Sequence, residues 1–164
     1  MYTGEDSSDS GVTILLEEAP RRDMQTHALS SLQREVAGFM VGPRPEKGPD
    51  DRYVVWVQEY IPARFTLNFE GIVTITADSW RDAHIQLARR RPYHDALMVG
   101  WTHTHPGMKL FLSDYDKFLH RSWWKQPWHV ASVLDPVARA AALFAWDKNQ
   151  TDICRLPFHW QWRP

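Results

Sequence analysis

His103-Thr104-His105-Pro106-Gly107-Met108-Lys109-Leu110-Phe111-Leu112-Ser113-Asp114-Tyr115-Asp116 is the stretch on which the reading of this chain turns. Leu97 to Thr102 before it is an apolar run with the look of a strand. Side chains alternate across a strand, so His103 and His105 fall on one face. Pro106 ends the strand just past the second histidine. Ser113 and Asp116 are three residues apart at the start of an expected third helix, hence on one side of it. A helix returning over the strand end would carry Asp116 to the two imidazoles and leave Ser113 beside them. Two neutral nitrogens and one carboxylate make three ligands for Zn²⁺, and the fourth tetrahedral position stays open, as in a catalytic site. The Ser113 hydroxyl could then donate to a developing oxyanion. The plain alternatives are a His-x-His pair that binds nothing and a Ser-x-x-Asp helix cap. Each half alone is a weak motif. Their order and spacing together favour the metal.

Working outward, helical spacing of Met24, Ala28, Leu29 and Leu32 behind Asp23 predicts a first helix over about 23–34. Glu35 to Gly42 reads as a buried strand, and 43–52, rich in Pro, Gly and charge, as a loop. Tyr53 to Ile61 reads as one strand and 71–76 as another, with 63–71 ambiguous. A second helix runs from Asp78 or Ser79 to the stop at Arg91-Pro92. A third spans Ser113 to about Trp124. Strands near 129–134 and 138–146 follow, with one more in the tail. Interleaved helices and strands with late hairpins imply an α/β or α+β fold with a single mixed central sheet flanked by helices.

Composition narrows the function classes. The 164 residues suit one domain, and 43% hydrophobic with 24% charged residues is the balance of a soluble globular chain. A net charge of −1 and the lack of a broad basic patch argue against a nucleic-acid partner. Arg89-Arg90-Arg91 reads as a solvated helix end. The single cysteine, Cys154, rules out an internal disulfide or a CxxC pair and sits in a strand-like segment. Residues 1–11 read as a disordered acidic leader without a secretory core. No run approaches a membrane span, so no membrane partner and a cytoplasmic location are expected. Of nine tryptophans, six follow residue 122, and an exposed subset would offer a docking surface. His120, one turn beyond Asp116, reads as a surface residue, with a supporting place behind the ligands as the alternative.

The central stretch resembles the JAMM (MPN+, JAB) metalloproteases, whose pattern is His-x-His-Pro, six residues, then Ser-x-x-Asp. His103-Thr104-His105-Pro106 and Ser113-Asp114-Tyr115-Asp116 match it without departure. Glu35-Val36-Ala37-Gly38-Phe39-Met40-Val41-Gly42 resembles the family's upstream glutamate and glycine-containing strand. The resemblance implies a cytidine-deaminase-like JAB/MPN fold over 12–164 with one catalytic Zn²⁺ on His103, His105 and Asp116. It also implies Glu35 as general base and Ser113 as oxyanion stabiliser. On its own Glu35 would read as an exposed acid ending the first helix. Members divide into isopeptidases acting on ubiquitin or ubiquitin-like proteins and inactive scaffolds, and all five key positions are intact here. The chain looks like the compact, stand-alone bacterial members, including those encoded with ubiquitin-like, E1-like and E2-like proteins in antiviral defence operons. The implied partner is a ubiquitin-like protein, entered by its C-terminal tail and cut after its terminal glycine. E1-like and E2-like proteins of the same pathway are further expected partners. Trimming of a sulfur-carrier protein, or a zinc-stabilised binding module without catalysis, are the alternatives. Phe65 to Phe69 and the loop 106–112 are candidates to line the groove for the tail.

Overall fold

A computed structural model describes residues 9–69, 72–90 and 95–162. In chain order these form β1 (Val12–Leu16), α1 (Glu18–Leu29), β2 (Ala37–Pro43), β3 (Glu46–Lys47), β4 (Tyr53–Val57), β5 (Glu59–Pro62), β6 (Thr66–Phe69) and β7 (Ile72–Ile75). Then follow α2 (Ala77–Arg90), β8 (Ala96–Thr104), α3 (Asp114–Trp123), β9 (Val130–Asp135), β10 (Ala140–Trp146) and β11 (Ile153–Arg155). The expected mixed central sheet is present with six strands, in the order β11-β10-β9-β8-β2-β5. A three-stranded sheet, β1-β4-β3, and the β6–β7 ribbon accompany it.

The central strands carry almost uninterrupted apolar runs because both of their faces are covered. β9 is buried throughout, and β2 up to Pro43. One face packs Met40, Val99, Val130 and Leu143 beneath Met24 and Ala28 of α1. The other packs Phe39, Trp101, Val133 and Phe144 against Trp80 of α2 and Leu119 of α3. β8 lies between β2, antiparallel, and β9, parallel. Its C-terminal end therefore sits at the middle of the sheet, where His103 and His105 emerge.

Several elements depart from expectation for visible reasons. α1 begins at Glu18, earlier than 23, because Pro20 falls in the first turn, where a missing N–H costs no helical bond. It ends at Leu29, with Ser30 N–H bonded to the His27 carbonyl. Glu35 is therefore not a helix-end acid. The expected strand Tyr53–Ile61 breaks at Gln58, whose N–H bonds to Val41 O at 2.9 Å. Its two halves serve different sheets, β4 pairing with β1 and β5 with β2. The loop 43–52 contains the short β3.

Residues 1–8 of the expected leader and the helix stop at Arg91-Pro92 lie outside the described residues. Ser10 and Gly11 are held in place: Ser10 bridges Asp147, and Gly11 N–H donates to Trp146 O at 2.9 Å. No helix among the described residues is long and apolar enough to cross a membrane. Of the tryptophans after residue 122, Trp124, Trp128, Trp146 and Trp160 are buried and build core, and Trp162 is half-buried. Trp123 is the late exception, at 67% exposure.

Gly100 sets how closely β8 approaches β9, since a Cβ there would run into the Val130 carbonyl oxygen and its Cγ2. Gly100→Ala should cost about 1–3 kcal/mol, as overpacking does, read as a lower urea midpoint at unchanged slope. An unchanged midpoint would mean that the two strands can part freely.

Candidate metal centre

The register of β2 on β8 builds the site. Ala37 pairs with His103. The alignment runs on past the strand ends, with Thr104 N–H bonded to Val36 O at 3.0 Å and Val36 N–H to Thr104 Oγ1 at 2.9 Å. Two residues further along an antiparallel pair, Glu35 stands opposite His105, on the same face. On the other side His105 N–H bonds to Leu134 O at 2.8 Å, which continues the β8–β9 ladder. The third group comes from α3. Ser113 caps this helix in a reciprocal box: its Oγ accepts from Asp116 N–H at 3.1 Å, and Asp116 Oδ2 accepts from Ser113 N–H at 2.9 Å. The plain capping reading of Ser113-x-x-Asp116 is thus correct, and the same carboxylate oxygen also faces the histidines.

The convergence is close. His103 Nε2 and His105 Nε2 lie 3.0 Å apart, and Asp116 Oδ2 lies 3.1 Å from the first and 3.4 Å from the second. Zinc bonds of about 2.0–2.1 Å at tetrahedral angles require neighbouring ligand atoms about 3.3 Å apart. The spacing fits one cation. So does the chemistry, because three lone-pair donors aimed at one point need a shared positive charge. All three residues are buried, with His103 2%, His105 3% and Asp116 6% exposed. The His105 ring is oriented by its Nδ1, 3.3 Å from the Lys109 carbonyl, which suits donation from Nδ1 and a free lone pair on Nε2. Lys109 reaches it from a left-handed backbone conformation, φ 72°. His103 stacks on Trp101 at 4.8 Å, and its buried Nδ1 has no hydrogen-bond partner among the described residues.

Electrostatics follow from the cluster. Burial would lower the His105 pKa, but the hydrogen bond and charge of Asp116, the charge of Glu35 and the Lys109 carbonyl together raise it. Burial would raise Asp116, yet hydrogen bonds from His103 and His105 hold its carboxyl far below the usual range. Glu35, 6% exposed, places Oε1 3.7 Å from His105 Nε2, while Oε2 accepts from Val73 N–H at 2.9 Å. That amide belongs to β7, so the ribbon at the edge of the site aims the carboxylate. The sequence offered no signal for Val73, since any residue but proline supplies the bond.

The model for prokaryotic homologs of the JAB domain (Prok-JAB) matches residues 17–155, which hold every residue of this cluster. The chain belongs to the Prok-JAB family. The solution structure of protein DSY2949 from Desulfitobacterium hafniense has a similar fold, with a TM-score of 0.61 over 87% of this chain and 89% of that one at 20% identity. No curated protein matches. The family includes metal-dependent isopeptidases, and this JAB domain carries a His103–His105–Asp116 group able to hold a metal ion.

His120 is not the surface residue of the sequence reading. One turn beyond Asp116, it shares that residue's inward face and is fully buried. Its Nδ1 accepts from Trp101 Nε1–H at 3.0 Å, so it steadies the indole that stacks on His103. Burial, then the neighbouring His129 and Arg121 charges, lowers its pKa to about 3. Burial lowers His129 to about 4. Both folded-state values lie below the unfolded value of about 6.5. The stability is therefore fully present above that pH and lost as pH falls toward 4, because the unfolded chain takes up protons that the fold refuses. His120→Gln keeps an acceptor for Trp101 and cannot titrate. Urea midpoints measured between pH 7 and 4 should fall less steeply in that variant, by a slope equivalent to about one proton. Parallel curves would contradict this account of His120.

Proposed function

We propose that this JAB domain is a zinc-dependent isopeptidase that hydrolyses the amide bond after the C-terminal glycine of a ubiquitin-like protein. The observation that carries the proposal is the Glu35 carboxylate, buried beside the three converging ligand atoms yet outside their set. A purely structural zinc site has no need of an aimed fourth acid. A zinc ion held by His103, His105 and Asp116 supplies a Lewis acid that brings the pKa of a bound water to about 7 and polarises a carbonyl oxygen.

The rest falls to the chain's own groups. Glu35 Oε1 takes a proton from the attacking water and passes it to the leaving amine as the C–N bond breaks, so no proton is gained or lost overall. Val73 N–H holds the other carboxylate oxygen and fixes the direction of transfer. The Ser113 oxygen is engaged by the Asp116 amide through a lone pair, which leaves its O–H free to donate to the oxyanion. The β6–β7 ribbon exposes Leu67, Phe69 and Ile72, with Phe65 just before it. An extended tail added along such a ribbon would gain main-chain bonds and apolar contacts, and small C-terminal residues would let its last carbonyl reach the metal. A conjugation pathway with E1-like and E2-like proteins, of the antiviral kind, is the setting this substrate suggests.

The test uses ubiquitin-like proteins joined through their terminal glycine to a fluorogenic amine. Zinc-loaded wild type should release the amine. Glu35→Gln, which keeps an acceptor for Val73 N–H, should lose roughly 10²–10⁴-fold in kcat with unchanged zinc content. Cleavage by this variant at the wild-type rate would remove Glu35 from the mechanism. No cleavage of any such fusion by the wild type would remove the proposed substrate class.

A further inference from the structure

Beside the metal centre a cavity of about 710 Å³ opens between the first turn of α3 and the outer strands β10 and β11. The wedge between α3 and the sheet is closed at the helix's far end, where His120 packs on Trp146 at 5.4 Å and Trp146 Nε1–H bonds to Trp124 O at 3.0 Å. It stays open at the Ser113 end. Leu112, Phe144 and Ile153 form an apolar floor. Lys109, Lys117 and Arg155 stand around it, with Asp114 the single acid. Neither lysine has an ion-pair partner among the described residues. The volume is within the roughly 300–1,000 Å³ typical of ligand sites.

We infer that this cavity is a subsite for an acidic, apolar peptide segment of the protein substrate, with an apolar side chain on the floor and flanking carboxylates on the lysines. Charge complementarity selects the occupant: three cations surround an apolar base, so an anion with an apolar body fits better than either character alone. Asp114 among the cations disfavours a compact polyanion such as phosphate, whereas an extended chain can space its carboxylates around it. The cavity also shares a wall with the metal centre. Phe111 lines it and packs on the His105 ring at 4.9 Å, and Ser113 borders both. A segment seated here would thus be held next to the reacting carbonyl. The inference rests on the isopeptidase reading for calling the occupant a substrate segment, while binding itself can be measured without turnover.

The experiment uses zinc-loaded Glu35→Gln protein and a labelled peptide of alternating leucine and glutamate, followed by fluorescence anisotropy. Binding should weaken as salt rises from about 50 to 300 mM. The added pair Lys109→Glu, at an exposed position, and Lys117→Glu, at a half-buried one, should weaken it roughly tenfold or more, and Lys117→Gln alone by less. A leucine–lysine peptide should reverse the order and bind the charge-reversed protein better. Equal affinity of the acidic peptide for both proteins would place its carboxylates on the metal and overturn the subsite. Inorganic phosphate displacing the peptide at comparable concentration would overturn the peptide assignment. Retained zinc content in the reversed protein confirms that the fold is intact, so a loss of binding reports on the cavity itself.

Discussion

The antiparallel pairing of Ala37 with His103 is the constraint from which the site follows. It fixes the face on which the two histidines emerge, and it sets Glu35 across from His105 although 70 residues of sequence separate them. A one-residue slip would send every side chain of β2 to the opposite face. Burial on both faces of β2 makes such a slip costly, because Phe39 and Val41 pack in one cluster and Met40 in the other. The register is irregular only between Met40 and Val41, where an extra residue on β8 is accommodated away from the histidines.

Fold and chemistry share parts elsewhere too. Asp116 Oδ2 completes the α3 cap and also faces both imidazoles, so the start of the helix and the third candidate ligand are one decision. Asp135 Oδ1 accepts from Gly107, Val137 and Ala138 N–H, which ties the loop after the histidines to the turn after β9. That loop carries the Lys109 carbonyl to His105. The three candidate ligand groups are therefore positioned by sheet ends and a helix cap, not by a loop alone.

Much of this was legible in the sequence. Alternation puts His103 and His105 on one face, helical spacing puts Ser113 and Asp116 on one side of α3, and the motif order points to the family. Glu35 was different. Nothing local distinguishes it from an acid at a helix end, and its place depends on a long-range register that only the family likeness could supply. Three other features were out of reach for related reasons. The break at Gln58 depends on which sheet each half joins. Val73 acts through its backbone amide. His120 looks exposed in sequence because polar helix residues usually are, although its spacing from Asp116 puts it on the inward face.

The most direct measurement is zinc binding by the purified, chelator-stripped protein, followed by calorimetry alongside circular dichroism. The wild type should bind one zinc per chain, lost in His103→Ala and strongly weakened in Asp116→Asn, with the stripped wild type still folded. Stoichiometric binding unaffected by either substitution, or no binding by the folded wild type, would contradict the claim that these three side chains share one ion.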